Sequence, residues 1–159
     1  MITQRKVMEQ LDLLKSRIGM KLVRIGKMTR AIATQRFTAN KFEVTPEQLT
    51  VLQALIDHDG MYQRQIGEIT LKDRPNITRI IKILEKMELV TKQLDVNGRK
   101  IHKIFITEKG KQVHAKVIPE ALKLWQRTVK GVPEDELLIT LRVLNKFKEN
   151  LEKDLNIQI

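Results

Sequence analysis

The sequence predicts a mainly α chain with a small β-hairpin, and three observations carry that expectation. Apolar residues recur at three- and four-residue steps through most of the chain, the spacing that gathers them on one face of a helix. One stretch, QLDVNGRKIHKIFIT at residues 93–107, instead alternates around Asn97-Gly98. Asn-Gly suits a type I′ turn, whose two central residues need positive φ. Aromatic residues make up only 4% of the chain, so the core has to be aliphatic, which suits packed helices.

The first helix is expected from about Leu11 to Thr38, with Leu11, Leu14, Ile18, Leu22, Ile25 and Ile32 on one face. Gly19 and Gly26 lie inside it and cost about 1 kcal/mol each relative to alanine. Thr45-Pro46-Glu47-Gln48 reads as a helix start: a cap, a proline pre-set for the first turn, and a glutamine that completes a capping box. This second helix carries Leu49, Leu52, Leu55 and Ile56 and stops at His58-Asp59-Gly60, where glycine suits the left-handed cap. A short third helix spans Tyr62 to about Thr70. Asp73 caps a fourth at about 74–87, with Pro75 in its first turn. Its apolar stripe is Ile77, Ile80, Ile81, Leu84 and Met87; Asn76, Thr78, Arg79, Lys82 and Lys86 fall on the opposite face.

The hairpin occupies 90–106. Thr107 then caps a helix to about Lys130, bent or restarted at Pro119. Val132-Pro133-Glu134-Asp135 opens the last helix, whose Leu137, Leu141, Leu144, Phe147, Leu151 and Leu155 keep a nearly heptad spacing. Three short helices followed by a hairpin are the elements of a winged helix-turn-helix. The long outer helices hold more apolar surface than a three-helix core absorbs, which implies a partner subunit.

Thirty Lys and Arg against 19 Asp and Glu leave a net charge of +11, which points to a polyanionic partner, nucleic acid before an anionic membrane surface. The excess is uneven. Residues 1–41 hold ten basic and two acidic residues, residues 72–103 nine and four, and residues 133–159 four and six. No apolar run is long enough to span a bilayer and no signal peptide is evident, so a cytoplasmic protein without membrane association is expected. The absence of cysteine excludes disulfides, zinc-thiolate sites and thiol redox sensing. No phosphate-binding glycine loop or nucleophile motif occurs, and the side chains of Asp57-His58-Asp59 diverge at a helix end. No enzyme activity, metal or cofactor is therefore expected.

Residues 66–90 resemble the MarR family of bacterial transcription regulators. The likeness rests on Ile66-Gly67-Glu68, on Ile77-Thr78-Arg79-Ile80-Ile81 and on Leu84-Glu85-Lys86-Met87-Glu88-Leu89-Val90. It continues through Asp95, the tip Asn97-Gly98-Arg99-Lys100, and Ile104-Phe105-Ile106-Thr107-Glu108-Lys109-Gly110. Flanking elements agree in order and approximate length. Two departures stand out: Glu88 replaces the family glycine before the wing, so the fourth helix is expected to lack an easy left-handed end, and the tip has a single arginine where many relatives have two.

The resemblance implies one MarR-type domain over 1–159, with a DNA-binding lobe at 45–107 and dimerisation helices at 1–40 and 108–159. It implies a homodimeric regulator, most simply a repressor, on a pseudo-palindromic operator in double-stranded DNA, released by a small-molecule effector of unknown identity. Arg79 is the candidate for guanine and Asn76 for adenine, while Thr78 and Lys82 would meet phosphates and Lys86 lies on the same DNA-facing side. Arg99 would enter the minor groove and Lys100 would pair with phosphate. Asp95 has two readings, a partner for a wing arginine that orients the hairpin or simple turn chemistry. The rival reading of the whole chain is an architectural, non-specific nucleic-acid binder.

Overall fold

A 38-residue helix, α1 (Ile2–Ala39), opens the computed structural model, which describes residues 2–95 and 102–155. The helix runs unbroken through Gly19 and Gly26 and starts earlier than the apolar periodicity does. Its stripe of Leu11, Leu14, Ile18, Leu22, Ile25 and Ile32 is exposed in the single chain. Contacts divide the chain into two units, residues 1–46 and 47–159. The first closes with Lys41 at φ +53°, where the Phe42 amide donates to Phe37 O at 3.0 Å and the two rings meet edge to face at 5.3 Å.

The second unit contains α2 (Pro46–Asp57), β1 (Met61–Tyr62), α3 (Gln63–Ile69), α4 (Arg74–Lys86), β2 (Val90–Leu94), β3 (His102–Ile106), α5 (Glu108–Thr128) and α6 (Glu134–Leu155). The sheet has the order β1-β3-β2, antiparallel throughout. Its outer strand β1 was not expected from sequence, because two residues are too few to show alternation. Ile104 and Ile106 turn inward and join a core formed by Leu52, Leu55, Ile66, Ile77, Ile80, Ile81, Leu84 and Leu89, each essentially sealed from solvent except Ile106, which keeps 7%.

Asp73 caps α4 by accepting from the Asn76 amide at 2.8 Å, as its position predicted. The other end of α4 corrects an expectation. Glu88 adopts φ +63°, the Leu89 amide donates to Leu84 O at 2.9 Å, and the Glu88 amide donates to Glu85 O at 2.9 Å. That is the two-bond helix ending usually given to glycine. The left-handed residue is thus retained, with the steric cost a side chain brings there. Leu71, at φ +50°, ends α3 in the same way.

Thr107 fastens the next helix to this corner. Its hydroxyl donates to Glu88 O at 2.7 Å and accepts from the Gly110 amide at 3.0 Å, while its own amide donates to Leu89 O at 3.1 Å. Gly110 is pressed so closely onto the residue before β2 that a Cβ there would lie 2.2 Å from Leu89 O. α5 continues through the exposed Pro119 as one helix and ends at Thr128, so it is not restarted there. α6 buries no residue in the single chain.

His114 on α5 is 9% exposed, and its Nε2 lies 2.7 Å from Gln53 Oε1. The Gln53 amide nitrogen donates to the Asp57 carboxylate at 2.9 Å. A carboxylate only accepts, so Gln53 presents its carbonyl to His114 and Nε2 carries the proton. Burial lowers the His114 pKa below its ordinary value, with Asp57 pulling weakly the other way.

Gly110→Ala is expected to lower the unfolding free energy by about 1–3 kcal/mol, because the obstacle is backbone and cannot turn aside; urea denaturation measures it. The unfolded chain binds a proton at His114 more readily than the folded one does, so this residue's contribution to stability is complete above about pH 6.5 and declines as pH falls from there toward the folded-state pKa. Denaturation between pH 7 and 5 should therefore show a slope that His114→Gln flattens.

Candidate nucleic-acid interface

The rotation of α4 determines what it offers to a partner. Ile77, Ile80, Ile81 and Leu84 are at most 1% exposed, and the helix lies against α3 and β2. At 100° per residue, burying that stripe turns Arg79, Lys82 and Lys86 outward and leaves Asn76 and Thr78 at the margin. Lys82 and Lys86 have no ion-pair partner among the described residues. Lys92 differs: it holds Glu85 at 2.5 Å and so ties β2 to α4.

Arg79 is anchored rather than loose. Its Nη2 donates to Asn76 Oδ1 at 3.0 Å and lies 4.0 Å from Glu47 Oε2 on α2. Thr78, expected at the DNA backbone, is occupied within the lobe. Its hydroxyl accepts from the Gln63 side-chain amide and donates to Arg74 O at 2.7 Å, joining the start of α3 to the first turns of α4. Arg74, exposed at the first position of α4, adds a cation that sequence reasoning did not single out. Its signal was available: a basic residue immediately after the capping Asp73.

Asp95 closes the described part of the wing. It accepts from the Tyr62 hydroxyl at 2.5 Å, and Tyr62 is also the residue that precedes α3. The Tyr62 amide donates to Gln65 Oε1 at 2.9 Å, and Lys103 Nζ stands 5.4 Å from the centre of the tyrosine ring. Tyr62 and Lys103 are also partners in the β1–β3 ladder. The base of the wing is therefore bound to the entrance of α3 by a charged hydrogen bond, a cation–ring contact and backbone pairing. Arg99 and Lys100, the expected minor-groove and phosphate contacts, lie outside the described residues.

Asp59 has a structural use: it accepts from the Ile106 amide at 2.9 Å and the Gly60 amide at 3.0 Å. Among the described residues no group of three His, Asp or Glu side chains could hold a metal ion, and no helix is long and apolar enough to cross a membrane.

A helix-turn-helix whose second helix turns a basic face outward, with a wing pinned beside it, defines the winged helix-turn-helix class of DNA-binding regulators. The MarR family profile matches residues 42–101, the lobe just described. An uncharacterized HTH-type transcriptional regulator of Bacillus subtilis (strain 168), YybA, is 28% identical over 131 residues, covering 82% of this chain and 87% of that protein. The crystal structure of the transcriptional regulator SlyA superimposes with a TM-score of 0.75 at 28% identity, covering 89% of this chain and 95% of that one. The S. aureus MepR–DNA complex gives a TM-score of 0.74 at 20% identity, covering 83% of this chain and 96% of that one. Over most of its length the chain is similar to HTH-type transcriptional regulators, and within it residues 42–101 match the MarR family.

Tyr62→Phe should loosen the wing. It removes the donor from a part-buried carboxylate, so the unfolding free energy should fall by about 1–2 kcal/mol. Amide hydrogen exchange should accelerate in β2 and β3 more than in α2; equal protection in the variant would contradict the pinning role.

Proposed function

We propose that the protein is a cytoplasmic homodimeric repressor that sets α4 into the major groove and the wing into the adjoining minor groove of a pseudo-palindromic operator. The observation that carries this reading is the outer face of α4, where Arg79, Lys82 and Lys86 are exposed over a sealed apolar stripe. Arg79 has the donor geometry for guanine, and the two lysines suit phosphates. Arg99 and Lys100 complete the footprint at the wing, with Asp95 holding its base. The proposed division is a DNA-binding lobe at 45–107 and dimerisation helices at 1–40 and 108–159.

The exposed apolar residues of α1 and α6 support the dimer. Leu14 and Leu22 on the first, and Leu141, Leu151 and Leu155 on the second, are 39–61% exposed in the single chain. Leaving such stripes in water forgoes about 25 cal/mol per Å² that a partner would recover. Repression follows from occupancy, since a bound dimer blocks access to the duplex it covers. A small-molecule effector would release it by binding more tightly to a lobe spacing that does not match DNA.

The basic charge alone also fits an architectural, non-specific binder, and binding-site selection from random duplexes separates the two. The repressor reading predicts a two-fold motif with half-sites about 10 bp apart. It also predicts that Arg99→Ala weakens operator binding and reduces the salt slope by about 1. Recovery of no motif, with equal affinity for all duplexes at fixed salt, would establish the non-specific reading instead.

A further inference from the structure

We infer that Glu47 and Asn76 are positioning residues that hold the Arg79 guanidinium for base readout, and that Asn76 supports Arg79 instead of reading a base of its own. This rests on the reading of α4 as the recognition helix.

Both contacts to Arg79 converge on a single nitrogen. Asn76 Oδ1 and Glu47 Oε2 approach Nη2, at 3.0 Å and 4.0 Å, and no described group pairs with Nη1 or Nε. The guanidinium is planar and rigid, so anchoring one corner orients the whole fork while leaving a second donor to address a ligand. The side chain is 62% exposed, so that free edge faces solvent. The Glu47 side chain is only 26% exposed, on the first turn of α2, beside the buried Gln48 and Leu49. Its own backbone is therefore fixed by the core, and its charge favours the positive end of the helix it starts.

A carboxylate beside a DNA-reading surface weakens attraction to phosphate, and this one also approaches the Arg79 guanidinium. Arginine loses considerable rotamer freedom when it forms a base contact. Holding it beforehand lowers that loss for the correct base without adding affinity for every duplex. Asn76 fits the same scheme. Its amide oxygen is engaged by Arg79, whereas a two-bond contact to adenine would call on that oxygen together with the amide nitrogen.

The test measures the affinity of the full-length protein for every single-base-pair variant of its selected operator, at fixed salt, for wild type, Glu47→Gln, Asn76→Ala and Arg79→Ala. The expected result is that all three variants relax discrimination at the same two-fold-related G·C pair, by about three- to tenfold for the two positioning residues. Glu47→Gln should also raise affinity for random duplex, because a negative charge is removed. Asn76→Ala relaxing a different base pair overturns the support role of Asn76. A Glu47→Gln loss spread evenly over all positions, as partial unfolding would produce, or no loss at all, overturns the role of Glu47. Glu47→Asp, which keeps the charge with shorter reach, should fall between wild type and Glu47→Gln at that pair. If wild type selects no sequence at all, the recognition-helix reading itself fails and the inference with it.

Discussion

Sealing Ile77, Ile80, Ile81 and Leu84 in the core constrains everything α4 does afterwards. Each contributes about 1.5–3 kcal/mol through burial, so a rotation that exposed the stripe would cost far more than any contact on the outer face could return. The helix therefore has one azimuth, and that azimuth determines which side chains can meet a partner. Asp73 at the start and the left-handed Glu88 at the end confine it lengthwise as well. Recognition by this chain is a by-product of packing: the outward residues are the ones the core cannot use.

The same corner links the helix to the wing. Glu88 O and Leu89 O accept from Thr107, Gly110 is pressed against Leu89 O, and Lys92 reaches back to Glu85. Tyr62 fastens the far side through Asp95 and Lys103. The base of the wing is thus held at both edges, to α3 through Tyr62 and to α4 through Lys92 and Glu88.

Much of this was legible in the sequence because the rules involved are local. Asp73, Pro75, Thr107 and the spacing of the isoleucines depend on neighbours within one or two helical turns, and the structure places them accordingly. The failures share the opposite property. β1 is two residues long and exists only because Ile104 and Lys103 lie opposite it. Glu88 lacks the easy left-handed ending that glycine gives, yet it adopts φ +63° where Leu89 and Thr107 bond around it. Asp95–Tyr62 spans 33 positions and Gln63–Thr78 spans 15, distances at which one sequence carries no pairing signal. The Asn76–Arg79 contact is a local three-residue step within α4, whereas the approach of Glu47 to Arg79 spans 32 positions and carries no signal in one sequence.

In the proposed mode of binding, one face of α4 reads the major groove while the wing enters the neighbouring minor groove, twice per dimer. Methylation interference on the selected operator tests both halves together, since the reagent marks guanine N7 in the major groove and adenine N3 in the minor groove. Interference is expected at one guanine in each half-site, about 10 bp apart, flanked by interference at adenines on the outer sides. Binding indifferent to guanine N7 methylation, or interference without two-fold symmetry, would contradict it.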